Sequence, residues 1–207
     1  MPDAPAGLTR DLANARDGRK RDGDELSKFY ESLDDKLIEF IKQQPMFFIA
    51  SAAAEGRINL SPKGLDAFRI LSPSRCAYLD ITGSGNETAA HSRADGRATI
   101  MFCSFSRNPL VLRLYGRTSV GAPGSALWAE LSGLFEAVPG ARQIIALDIA
   151  SVQTACGFAV PEMTLKRHRP TLVKHWEVKG EEATAKYQRK KNKVSIDGLP
   201  TGWGEGT

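Results

Sequence analysis

The chain has 207 residues, 42% of them hydrophobic, and a formal net charge of +4. That supports one domain with a real core plus extensions, and a charge too mild to imply a polyanionic partner. No apolar run approaches the ~18 residues of a membrane span and no apolar signal core opens the chain, so neither membrane nor export is expected and the cytoplasm is the default.

Residues 1–22 carry almost no large apolar groups and read as a flexible extension. From 24 to 43, Leu26, Phe29, Tyr30, Leu33, Leu37, Ile38 and Ile41 recur at helical spacing, which predicts one amphipathic helix stopped by Pro45. The apolar run 46–53 reads as a strand, and 57–63 as its hairpin partner. Pro62 removes an N–H there, so the strand must end or bulge. A short irregular or extended stretch over 65–71 leads to another strand at 75–81. Next comes a glycine-broken elbow, Thr82-Gly83-Ser84-Gly85-Asn86-Glu87-Thr88. It opens a short helix over 86–94, with Asn86 as N-cap and Glu87 in the first turn.

Strands are predicted again at 97–105 and 110–120. In the second, Val111, Arg113, Tyr115 and Arg117 share one face, and Leu112, Leu114 and Gly116 the other. A helix over 125–136, a long strand over 141–158 and a charged helix over 169–192, broken at Gly180, follow. A compact apolar tail at 194–200 ends in a glycine-rich, disordered stretch. Five or six strands with short helices at the ends suit a small closed or split barrel. The basic excess sits at residues 10–21 and 186–193 without an aromatic stacking motif, which argues against nucleic acid. Cys76, Cys103 and Cys156 form no metal-ligand pattern and fit a reducing compartment, so no metal site is expected.

Glycine turns and helix N-termini leave bare N–H groups, which bind anions, phosphate above all. The elbow matches neither the P-loop nor the dinucleotide fingerprint, and such a turn is often only a turn. The runs Phe48-Ile49-Ala50, Ile58-Asn59-Leu60-Ser61-Pro62-Lys63-Gly64, Tyr78-Leu79-Asp80, the elbow and Ala98-Thr99-Ile100-Met101-Phe102 add to it. Together they resemble the pyridoxamine 5′-phosphate oxidase family, and more closely its oxidase-related branch of FMN-binding split barrels. The resemblance spans roughly residues 39–149 and includes the tail at 190–200. It implies a mainly β split barrel over 23–160 with a leading helix, and a C-terminal helix and tail over 161–207. It also implies a homodimer with FMN at the interface, the phosphate at the elbow and a small-molecule substrate.

The cofactor residues so implied are Ser61, Pro62, Lys63, Gly64, Asp80, Ile81, Thr82, Gly83, Ser84, Asn86, Thr88 and Arg113. One departure stands out. The family's true oxidases carry an Arg-Lys pair at the elbow, where Glu87 and Thr88 stand here. A carboxylate repels phosphate, so Glu87 is expected to turn away and the cationic work to fall to Lys63, with Arg113. Each residue has a plainer role open to it: Lys63 as an edge lysine, Arg113 as a surface charge, Asp80 as a partner for loop amides. His91 reads as structural or solvent-facing rather than as a base. Trp176, Trp203 and the tail either cover a neighbour's flavin or pack on their own barrel. No G-x-S-x-G and no anchored carboxylate pair is present. A flavin-dependent oxidoreductase, whose ring carries the chemistry, is the leading expectation. The alternative is a non-catalytic flavin- or haem-binding sensor or store.

Overall fold

The computed structural model describes residues 27–204. The extension expected over 1–22 lies outside the described residues, as do 205–207. Eight strands are formed: β1 (Ser27–Tyr30), β2 (Phe47–Ser51), β3 (Asn59–Lys63), β4 (Phe68–Ser72), β5 (Arg75–Ile81), β6 (Arg97–Cys103), β7 (Val111–Gly121) and β8 (Ala141–Ala155). The helices are α1 (Asp35–Lys42), α2 (Glu87–Ala94), α3 (Ala126–Leu131) and α4 (Thr171–Lys191).

All strand pairs are antiparallel, in the order β3-β2-β6-β7-β8-β5-β4, with β1 added to β8. The two ends of that path, β3 and β4, do not pair. They nevertheless face each other, because Lys63 on β3 reaches Asp80 on β5 and the Phe47 ring on β2 packs 5.1 Å from Phe68 on β4. The sheet is therefore a barrel left open along one seam. Pro62, on β3, the outermost strand of the path, pairs with Phe48 of β2. A missing N–H is tolerated on an edge, so the strand runs on one residue to Lys63.

Phe47, Phe68, Tyr78 and Phe102 meet edge-on inside the barrel, among Ile49, Ile100, Leu112, Leu114, Ile145 and Leu147. Each fully buried aliphatic side chain there contributes about 1.5–3 kcal/mol. A second cluster, Ala77, Leu79, Ile144 and Ala146, lies under Leu131 of α3. β5 and β8 are thus covered on both faces. This is why their sequences read as continuous apolar runs instead of alternating.

Three expectations change. The described part of the single helix expected over 24–43 is instead β1 and α1, joined by a turn, while residues 24–26 lie outside the described residues. Asp34 caps α1 by accepting from the Leu37 amide at 2.8 Å, and Leu37 and Ile41 are buried. Helical spacing upstream of Asp34 yields to strand pairing, since Phe29 and Tyr30 lie opposite Gln153 and Val152 of β8. The helix expected over 125–136 closes early as α3 and a 3-10 turn, Ser132–Leu134. Among the described residues the strands number eight rather than five or six.

Candidate functional site

A cavity of about 620 Å³ opens between the elbow, β3, β5 and the C-terminal tail. Its floor is charged. The Asp80 carboxylate is bracketed by two cations, with Lys63 Nζ 2.7 Å from Oδ1 and Arg142 Nη2 2.6 Å from Oδ2. The Gln143 side-chain amide donates to Oδ2 at 2.9 Å. Asp80 and Arg142 are buried, with side chains 4% and 3% exposed. Burial alone pushes the Asp80 carboxyl up, but the Lys63 and Arg142 charges and hydrogen bonds outweigh it and hold the group well below the usual carboxylate range. Lys63 also sits 5.6 Å over the Tyr78 ring.

Beside the floor lies the elbow. The backbone N–H groups from Gly83 to Thr88 have no hydrogen-bond partner among the described residues. Asn86 occupies the N-cap position of α2, but its side chain does not cap. Its Oδ1 accepts from Gln143 Nε2 at 2.6 Å and its Nδ2 donates to the Asn192 carbonyl at 3.2 Å. The helix N-terminus is left open, which is the condition for anion binding.

The tail forms the remaining wall, with Lys191, Val194, Ser195 and Ile196 lining the cavity. Glu87 is turned to this wall, and both its oxygens accept from the Ile196 amide, at 3.1 and 3.2 Å. Asp197 accepts from the Arg57 amide at 2.7 Å and pairs with its guanidinium. That approach needs Gly56, whose φ is +92° and where a Cβ would stand 2.7 Å from Asp197 Oδ2. Thr201 is buried and donates to the Asn192 carbonyl, so the chain stays anchored past Pro200 instead of becoming disordered there.

Nine of the twelve expected cofactor residues line this cavity: Ser61, Pro62, Lys63, Asp80, Ile81, Gly83, Ser84, Asn86 and Thr88. Three do not. Thr82 is fully buried, donating to the Gly140 carbonyl and accepting from Gln188. Gly64 borders a separate apolar cavity at the seam, beside Phe47 and Phe68. Arg113 lies on the outer face of the sheet, in register with Met101 and Gln153. Asp80 takes side-chain cations and an amide group rather than loop amides. His91 is structural: it is 1% exposed and its Nδ1 lies 3.0 Å from Ser51 Oγ. Trp176 packs on its own barrel, donating from Nε1 to the Thr82 carbonyl at 2.9 Å.

Sequence reasoning missed Arg142, Gln143 and Asn192. The available signal was an Arg-Gln pair opening an otherwise apolar strand. No group of three or more His, Cys, Asp or Glu that could hold a metal occurs among the described residues. None of their helices is long and apolar enough to cross a membrane.

Open amides and three cations, Lys63, Arg142 and Lys191, thus border one cavity of a split barrel, a setting whose chemistry favours an anion. Comparison then fixes the family. The model described as pyridoxamine 5′-phosphate oxidase matches residues 33–156, and the chain belongs to that family. A curated relative, the pyridoxamine 5′-phosphate oxidase family protein ustO of Aspergillus flavus, is 44% identical over 193 residues, covering 83% of this chain and 76% of the relative. Among solved structures, HupZ of Group A Streptococcus is 18% identical with a TM-score of 0.44, covering 56% of this chain and 89% of that one. The FAD binding protein from Mycobacterium smegmatis is 10% identical with a TM-score of 0.44, covering 60% and 96%. At such values neither neighbour bears on the cofactor.

Proposed function

We propose that the chain is an FMN-dependent oxidoreductase acting on a small molecule as a homodimer. The observation that carries the reading is the run of unpartnered amides from Gly83 to Thr88, beside Lys63 and Arg142 on one cavity. These groups fit a phosphate, and the cavity volume is in the range of small-molecule sites. Family membership supports a flavin. Haem is less well served, because no His, Cys, Met or Tyr is among the lining residues.

Held there, a flavin would supply the redox chemistry, hydride transfer to or from the substrate. The chain's residues bind and orient. Lys63, Arg142 and the elbow amides would hold the phosphate end. Asp80, kept ionised between its two cations, fixes their positions and serves as counter-ion rather than as a proton donor. Ile81, Val194 and Ile196 give the cavity apolar surface for the rest of the ligand.

The dimer has its own support in the sheet. Pro62, Phe48, Met101, Arg113, Gln153 and Phe29 are successive cross-strand neighbours on β3, β2, β6, β7, β8 and β1, so they share the face away from the core. Phe29 is 68% exposed, and Leu60 on the same side of β3 is 65% exposed. A half-apolar sheet face of this kind suits a second copy of the chain.

The test is the visible spectrum of the purified protein, an FMN titration followed by flavin fluorescence, and the mass by light scattering. Flavin absorbance, saturable quenching and a two-chain mass are expected. A colourless protein that ignores added FMN overturns the cofactor, and a Soret band replaces it with haem.

A further inference from the structure

The elbow lacks the Arg-Lys pair of the family's true oxidases, yet the floor beneath it carries surplus positive charge. Lys63 and Arg142 take one oxygen each of Asp80, so two cations share a single carboxylate. The cavity's other carboxylate, Glu87, is turned to the Ile196 amide. A positive charge with no counter-ion in a buried setting is costly, and an anion in the adjoining cavity relieves it.

Arg142 is the more deeply set of the two cations, with a side chain 3% exposed against 24% for Lys63. Its Nη1 donates to the Gly85 carbonyl at 2.9 Å, which ties the guanidinium to the elbow. Its Nε is buried with no partner in the structure. An arginine stays charged wherever it is buried, and a planar guanidinium suits phosphate oxygens.

We infer that Arg142, reaching over from β8, takes the place of elbow cations and, together with Lys63, makes the site select a phosphorylated flavin over an unphosphorylated one. The inference rests on the flavin reading above and adds the discrimination between phosphorylated and unphosphorylated flavin to it. Arg142 is a binding residue here, and its role is read from affinity without turnover.

The experiment compares FMN with riboflavin, which differ only in the phosphate. Both are titrated into the wild type and into the double variant Asp80→Asn/Arg142→Gln, with Arg142→Lys as a third protein. The double variant removes both members of the buried pair and so avoids stranding Asp80, and circular dichroism with a thermal melt checks that it folds. The wild type should prefer FMN. The double variant should lose roughly tenfold or more of that preference, the size of a charge-assisted contact, with riboflavin affinity little changed. Arg142→Lys should keep part of it, because a point charge remains without the fork. If FMN binds and the FMN-to-riboflavin ratio is the same in wild type and double variant, the role of Arg142 is overturned while the flavin reading stands. If the wild type binds neither flavin, both fall.

Discussion

The floor and the tail-built wall of the cavity use similar chemistry in different solvents. On the floor, Lys63, Asp80 and Arg142 are packed under Gln143, and the Asp80 and Arg142 side chains are nearly inaccessible. On the wall, Arg57 pairs with Asp197 while its own side chain is 68% exposed, and Glu87 meets Ile196 at the surface. Buried charges stripped of a partner cost several kcal/mol, whereas exposed pairs are worth about 0–1 kcal/mol. On the proposed flavin reading, the floor would set the charge a ligand must bring. The wall, held by hydrogen bonds of small individual weight, would set the shape it must have.

The sharpest way to break that contrast is Asp80→Ala. It leaves Arg142 buried beside Lys63 with no counter-ion, and should destabilise the fold by about 3–5 kcal/mol. Urea denaturation measures this, and a loss below about 1 kcal/mol would put the floor on the same footing as the wall. Acid probes the same pair without mutation. The folded-state carboxyl titrates below its ordinary range, so its contribution is complete above about pH 4 and is lost as the pH falls further. The wild type should weaken below that pH, and Asp80→Asn should show a flatter acid limb.

Lys63→Ala comes next. It removes the more accessible floor cation but leaves the Asp80–Arg142 pair intact, so the fold should hold while FMN weakens roughly tenfold, about 1.4 kcal/mol. Unchanged affinity would leave Lys63 as Asp80's partner only. Lys63 was legible in the sequence because it follows the strand and turn signals at Ser61-Pro62, and the elbow because its glycines punctuate an apolar strand and a helix start. β5 and the break at Gly180, where φ is +76°, were legible for the same local reasons. Arg142 was not. A charge at a strand's first residues ordinarily faces water, and its burial depends on Asp80, 62 positions earlier. Asn192 was hidden in the same way, since its contacts with Asn86 and Gly83 span more than a hundred residues. β1 was misread because its pairing with β8 is equally remote, while the competing helical spacing was in plain view.

The smallest expected effect tests the wall. Glu87→Gln keeps an oxygen to accept the Ile196 N–H but removes the charge, so the tail should stay in place. The cavity then becomes one unit more positive. FMN should bind tighter by roughly threefold, the scale of one solvent-screened charge, while riboflavin should not respond. Because Glu87 is only partly buried, the gain should shrink as salt is added, whereas the loss caused by Lys63→Ala should persist. Titrations at two ionic strengths separate the cases. If Glu87→Gln weakens FMN instead, the carboxylate is needed to hold Ile196 and the wall contributes more to binding than its exposure implies. A gain that resists salt would mean that Glu87 belongs electrically to the floor.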